Sequence, residues 1–433
     1  MLVERVTLGE GETGAPALAA SHLRRLVGGV EGVEEAVATI VSHVRAEGDE
    51  ALEEYTRRFD TAGAEPPSIC VAAEELDRAL EAMPLDVIAG LQVAIANVAR
   101  VADASIGAER ITVELAQGHT VELRELPVSA AAIYAPGGRA AYPSTVVMGV
   151  VTARAAGVLD VAVCTPPGPD GQAHPSILAA CRLCGVERVY RIGGAQAIAA
   201  LAFGTESVAR ADVIVGPGNL YVQEAKHQLS AIVGIDGFAG PSDLMVVFGA
   251  DADPRLVALD LLAQAEHGPG SLVAGVSSSR AALDTVAAAI EHELAGGLDL
   301  EPDACVLIET PTPAAAVALA NEFAPEHLQL VGAAEEALAS KVRAAGCLLL
   351  GRNGATAFSD YTAGSNHVLP TAGAARFASA LSPRHFRRRM SVLEIPDPAA
   401  VKLAKAGAPI ANAEGFPLHA KSMQARVGEN ESP

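Results

Sequence analysis

Between residues 128 and 232 the sequence repeats one pattern: a short apolar run, a glycine turn, then a helical stretch. Residues 128–134 lead into Ala135-Pro136-Gly137-Gly138-Arg139. The β-branched run 161–165 stops at Pro166-Pro167-Gly168, ahead of a helical 176–184. Residues 188–192 end at Gly193-Gly194 ahead of a helical 196–203. Residues 213–215 end at Gly216-Pro217-Gly218-Asn219 ahead of a helical 221–232. Strands that alternate with helices line up in parallel, with crossovers that put helices on both faces of the sheet. The pattern therefore predicts an α/β fold on an open parallel sheet. At the carboxyl ends of such strands, glycine lets the backbone approach a phosphate or a flat ring, and helix N-termini favour negative charge. No turn here is a G-x-G-x-x-G loop, because Gly218 is followed by Asn219-Leu220-Tyr221. Each turn alone reads as a turn; three at strand ends in one block point to a nucleotide.

A second α/β region follows. Strands are expected at 244–248, 272–276, 305–308, 328–330 and 347–350, with helices at 254–267, 281–294 and 313–321. Ahead of the first block, 34–59 is helical. Ala36, Val37, Ile40, Val41, Val44 and Leu52 recur at helical spacing, and Gly48-Asp49 marks a break. Helices are expected at 73–83 and 85–101, the second opened by Pro84, and strands within 112–126. Beyond Pro383 the chain reads as basic and helical. No internal repeat of fixed period is evident.

Composition narrows the function. The chain has 433 residues, a length that suggests two to four domains, and a formal charge of −21. Half the residues are hydrophobic, but only 3% are aromatic and none is Trp, so the core must be built from small aliphatic side chains. Such a chain is not disordered, and its acidity argues against nucleic acid or an anionic membrane as the main partner. The acid-containing start, with no apolar h-region, argues against a signal peptide, and no apolar stretch is expected to reach membrane-spanning length. Six sparse cysteines fit free thiols in a reducing cytosol, so a cytoplasmic location is expected. Cys181-x-x-Cys184 has redox or zinc spacing but no second pair, and reads as packed thiols.

Four segments carry chemistry. Gln264 and His267 are i and i+3, so they share a face near the end of a helix. This is either a pair of metal ligands or a helix-ending His. Pro325-Glu326-His327 offers an adjacent acid and base, or only a surface turn. Asp360-Tyr361-Thr362-Ala363-Gly364-Ser365-Asn366-His367 holds more functional groups than a connector needs. Glu414-Gly415-Phe416-Pro417-Leu418-His419 adds another Glu and His in the small C-terminal region. Gln264, His267, Asp360 and His419 together would make a mixed O/N site, which suits a reactive zinc.

These segments fall into an ordered series: Tyr134-x-Pro136-Gly137-Gly138, Gly193-Gly194-Ala195-Gln196-Ala197, Gly216-Pro217-Gly218-Asn219-x-Tyr221-Val222, Ala239-Gly240-Pro241-Ser242, Gln264-Ala265-Glu266-His267, Ala324-Pro325-Glu326-His327-Leu328, Asp360-Tyr361 with Asn366-His367-Val368-Leu369-Pro370-Thr371, and Glu414-Gly415 with His419-Ala420. In this order, from about Glu34 to Arg426, the sequence resembles the histidinol dehydrogenase family. The resemblance implies oxidation of L-histidinol to L-histidine in two NAD-dependent steps through a bound aldehyde, by a zinc-dependent homodimer.

The resemblance also implies two incomplete Rossmann-like parallel-sheet domains with small terminal segments. Residues 1–22 would form an arm, and 23–128 with 240–381 a first α/β domain carrying zinc and the catalytic residues. Residues 129–239 would form the NAD-binding domain, and 382–433 a helical segment shared with the partner subunit. By the same resemblance Gln264, His267, Asp360 and His419 hold zinc, and Glu326 and His327 are the acid/base residues. Tyr134, Gln196 and Asn219 contact NAD. Ser242, His367 and Glu414 contact substrate, together with the zinc ligands and the Glu326-His327 pair. Gly270 and Ser365 depart from the family pattern beside the site. A paralogue that oxidises another amino alcohol or a polyol, such as a sulfopropanediol, is the alternative reading.

Overall fold

The computed structural model describes residues 3–8, 15–26, 32–137, 140–237, 240–268, 270–296 and 304–427. Gly138 and Ala239 of the motifs, and parts of the expected terminal segments (1–2, 9–14 and 428–433), lie outside the described residues. The strands, in chain order, are β1 (Val3–Thr7), β2 (Arg110–Glu114), β3 (Thr120–Pro127), β4 (Ala130–Tyr134), β5 (Asp160–Thr165), β6 (Arg188–Arg191) and β7 (Val213–Val215). They continue with β8 (Gly234–Ile235), β9 (Asp243–Phe248), β10 (Leu272–Ser277), β11 (Ala304–Glu309), β12 (His327–Val331), β13 (Cys347–Leu350) and β14 (Arg387–Glu394). They form sheets of order β6-β5-β4-β7-β8, β1-β11-β10-β9-β12-β13 and β14-β3-β2. The first two are parallel throughout, as the strand–turn–helix alternation requires. The third is antiparallel.

The chain divides into two compact units. The larger joins the chain up to Ser105 with Ser129–Phe386 and holds both parallel sheets. The smaller joins Ile106–Val128 with the chain from Arg387 onward; it holds the antiparallel sheet and the helices Asp397–Ala413 and Pro417–Gln424.

Burial explains why the strands of the larger unit read as unbroken apolar runs. In β9, Met245 and Val247 enter one core cluster while Leu244, Val246 and Phe248 enter another on the opposite face. Strands covered on both faces alternate between two apolar environments, not between core and water. Against the five-stranded sheet, Val37, Ile40 and Val44 of the helix Glu34–Glu47 pack with Ala195 and Ala197–Ala202 of the helix Gly194–Phe203 in one cluster. The break at Gly48 is observed: with φ +56 it ends one helix, and Asp49–Phe59 begins the next.

Two expectations are corrected. The segment after Pro383 is not all helical: Arg387–Glu394 is a strand, paired antiparallel with β3, so that Arg389 lies opposite Glu125 and donates to its carboxylate at 2.6 Å. Arg387 and Arg389 both donate to Glu125, on a strand more than two hundred residues earlier, which no local pattern conveys. The helix Leu85–Ala104, opened by Pro84 as expected, is long and apolar enough to span a membrane by length and composition. One face of it (Leu91, Ala94, Val98 and Ala102) is buried, and the helix packs on Pro143–Ala155.

The sheets present opposite edges to the chemistry. The glycine turns follow the carboxyl ends of β4, β6 and β7, whereas Ser242, His267 and Glu326 precede the amino ends of β9, β10 and β12.

Candidate active site

A cleft of about 1580 Å³ in the larger unit is lined by Tyr134, Gln196 and Asn219 and by Ser242, Gln264, His267, Glu326, His327, Asp360 and His367. It thus gathers every expected site residue of that unit. Glu414 and His419 belong to the smaller unit, where both are exposed, and the His419 ring lies 5.4 Å from that of Phe416.

The acid/base pair is set by the end of a helix. Pro313–Phe323 stops at Ala324, which takes the left-handed conformation (φ 52, ψ 65) before Pro325, and the chain turns directly into β12 at His327. Arg24 pins this stop. Its Nη2 donates to the carbonyls of Glu322 (2.8 Å) and Phe323 (2.9 Å), and its guanidinium lies 5.9 Å over the Phe323 ring. Glu326 and His327 are both buried, which removes the surface-turn reading.

Glu326 and Asp243 are interlocked across neighbouring strands. The Glu326 N–H donates to Asp243 Oδ1 (2.7 Å), and the Asp243 N–H donates to Glu326 Oε2 (3.1 Å). Ser242 Oγ also donates to Glu326 Oε2, and Gln264 Nε2 donates to Ser242 Oγ. Burial raises the Glu326 carboxyl above its ordinary range against the opposing pull of His327. Burial and then the charge of Glu326 push Asp243 up to about 8. For His327, burial disfavours the charged ring, but Asp360 and Glu326 outweigh it and hold the imidazole above its usual value. His327 Nε2 lies 3.3 Å from Asp360 Oδ1 and Nδ1 lies 4.0 Å from Glu326 Oε2, yet neither ring nitrogen is in hydrogen-bond geometry.

Gln264 is in the last turn of the helix Pro254–Ala265, which Asp253 caps by accepting from the Arg255 N–H at 3.1 Å. The Gln264 side chain is buried, and the carbonyl of the same residue lies 3.1 Å from His267 Nδ1. Asp360 sits on the short helix Thr356–Tyr361, and His367 Nδ1 is 2.8 Å from its backbone carbonyl. That carbonyl can only accept, so Nδ1 carries the proton, leaving His367 Nε2 to accept from Thr145 Oγ1 at 3.2 Å. Burial keeps His367 below the ordinary imidazole range, hence neutral.

The residues fit a zinc ion. Gln264 Oε1 and Asp360 Oδ1 are buried without hydrogen-bond partners, an arrangement that costs free energy unless something accepts their lone pairs. With a His267 nitrogen they make an oxygen-and-nitrogen donor set suited to zinc. Among the described residues no three His, Cys, Asp or Glu side chains cluster as a metal site; the larger unit brings two of that kind, His267 and Asp360, plus an amide.

On the other wall, Gly194 needs its positive φ (+64), and its N–H donates to Tyr134 Oη at 3.1 Å. Gly216 (φ +117) lies where a Cβ would stand 2.1 Å from the Tyr134 carbonyl oxygen, so only glycine fits. Asn219 caps the helix Leu220–Leu229 by accepting from the Val222 N–H at 3.1 Å. A buried ion pair braces this turn: Lys226 Nζ reaches Gly216 O (2.5 Å) and Asp236 Oδ1 (2.7 Å), and Asp236 Oδ2 accepts from the Gly216 N–H (2.7 Å).

Sequence reasoning missed Arg24, Thr145, Asp243 and the Lys226–Asp236 pair. Only Asp243 had a signal, as an acid directly after the Gly240-Pro241-Ser242 motif. The cysteines are all free, none lines the cleft, and burial raises Cys164, Cys181, Cys184, Cys305 and Cys347 away from thiolate.

Two parallel sheets that meet at one cleft, with a buried acid/base pair beside an oxygen-and-nitrogen donor set, define an α/β enzyme. Residues 24–427 match the family model for histidinol dehydrogenase. The chain is 40% identical over 405 residues to a histidinol dehydrogenase from Gluconobacter oxydans, covering 92% of this chain and 94% of that protein. It is 37% identical over 409 residues to one from Methanosarcina barkeri, covering 92% and 93%. The crystal structure of histidinol dehydrogenase from Elizabethkingia anophelis superposes with a TM-score of 0.88 at 30% identity, covering 98% of each chain. The chain belongs to the histidinol dehydrogenase family and is an oxidoreductase.

Proposed function

We propose that this enzyme oxidises L-histidinol to L-histidine in two NAD-dependent steps, closing histidine biosynthesis, with zinc held by Gln264, His267, Asp360 and His419. The observation that carries the reading is the pair of unpartnered buried oxygens, Gln264 Oε1 and Asp360 Oδ1, beside the Glu326-His327 dipeptide. When bound, zinc supplies a Lewis acid that orients the amino alcohol, and NAD supplies the hydride acceptor.

The chain's own residues handle the protons. A ring nitrogen of His327, free of hydrogen bonds, takes the alcohol proton in the first oxidation. Glu326, its carboxyl raised by burial, takes a proton from the water that hydrates the aldehyde in the second. Ser242 and the Asp243 N–H fix the Glu326 carboxylate, and Thr145 fixes His367 for substrate contact. No thiol is needed, in keeping with a cleft free of cysteine. Retention of Glu414 and of the whole ligand set favours histidinol over the paralogous alcohol. Counting NADH per L-histidinol, with zinc analysed on the same sample, tests the reading. Two NADH per substrate are expected; one NADH, or turnover only of another alcohol, rejects it.

The exposed His419 and Glu414 would complete the site of a partner subunit, which makes a homodimer the working form. Mixing refolded His327→Asn chains with His419→Ala chains, each inactive alone, would then restore about a quarter of wild-type activity, because half of the dimers formed carry one intact site. No recovery on mixing would mean that each chain completes its own site.

A further inference from the structure

Asp60 is a carboxylate of the cleft for which the reaction above has no use. It stands at the carboxyl end of the helix Asp49–Phe59, where the last free carbonyls disfavour a negative charge. Its Oδ2 is buried with no hydrogen-bond partner, and burial pushes the carboxyl up to about 6. Among the described residues it forms no ion pair. Such a group costs stability by itself, and a ligand that donates hydrogen bonds to it removes the cost.

Its neighbours indicate which ligand. Asp60 lines the cleft together with Ile40, Phe59, Tyr134, Gly194 and Gln196, and it lies near enough to Tyr134 to add to the rise that burial imposes on the phenol. These residues belong to the wall of the five-stranded sheet, with its glycine turns, and not to the wall that holds Ser242, Glu326 and His327. A phosphate set directly against the Asp60 carboxylate would meet like charge. A ribose offers a pair of hydroxyl donors that a carboxylate accepts.

We propose that Asp60 receives the ribose hydroxyls of the dinucleotide and makes the cleft select an unphosphorylated ribose over one bearing a 2′-phosphate. The inference rests on NAD as the oxidant. The test compares the zinc-loaded full-length enzyme with Asp60→Asn, measuring kinetics with L-histidinol and calorimetric binding of NAD and NADP. The expected result is a rise of about tenfold in KM and Kd for NAD and an equal or larger fall in the NAD/NADP preference, with kcat and the KM for L-histidinol unchanged. The thermal midpoint should not fall, since a buried unpaired charge is removed. Equal weakening for both dinucleotides, or a lower midpoint with unchanged preference, overturns the proposal. Wild-type enzyme that uses neither dinucleotide would overturn the NAD reading itself, a result distinct from a functional enzyme indifferent to Asp60→Asn.

Discussion

His327→Asn is expected to lower kcat by roughly 10²–10⁴-fold while the KM values and the zinc content stay close to wild type. The side chain is buried at the first position of β12, which pairs with β9 and β13, so the backbone holds it in place whatever the substituent. Asn keeps the size and polarity near the backbone but cannot take a proton near neutral pH. Both ring nitrogens lack hydrogen-bond partners, so their loss breaks no hydrogen bond. Steady-state kinetics and metal analysis on the same preparation make the check. A variant with full turnover would remove His327 from the chemistry, whatever the fold.

Lys226→Met is expected to destabilise the protein by about 3–5 kcal/mol, because it strands the Asp236 carboxylate in the interior. Lys226 is 1% exposed and Asp236 8%, so water cannot replace the lost partner. The double variant Lys226→Met, Asp236→Asn should recover most of that loss, since the stranded charge is then gone. Denaturant unfolding of the wild type and both variants distinguishes the cases; a single variant as stable as wild type would mean that the pair is solvated. The two side chains hold the N–H and the carbonyl of Gly216, so the loosened turn should also raise the KM for NAD.

Much of the scaffold was legible because its rules are local. Strand-ending glycines at Gly194 and Gly216 and the break at Gly48 mark themselves through backbone conformations that other residues avoid. The candidate site was legible residue by residue through its motifs, yet its energetics were not. That Glu326 is interlocked with Asp243, or that Arg24 holds the helix end ahead of it, depends on residues more than eighty and nearly three hundred positions apart. The same holds for β14, whose Arg387 and Arg389 reach Glu125 only once β3 lies alongside. Asp60 was passed over because an acid after an amphipathic helix is unremarkable in sequence; only its buried, unpartnered oxygen sets it apart.

The opposite strand edges that meet at the cleft give its two walls opposite electrical character. Beyond the carboxyl ends of β4, β6 and β7, the helices Pro143–Ala155, Gly194–Phe203 and Leu220–Leu229 begin, so that wall presents amide hydrogens and partial positive charge. Ahead of the amino ends of β10 and β12, the helices Pro254–Ala265 and Pro313–Phe323 finish, so the facing wall presents carbonyls and partial negative charge. A dinucleotide's phosphates and a substrate's ammonium would therefore be sorted to opposite sides before any side chain touches them. The backbone would thus orient the two reactants toward each other across the gap.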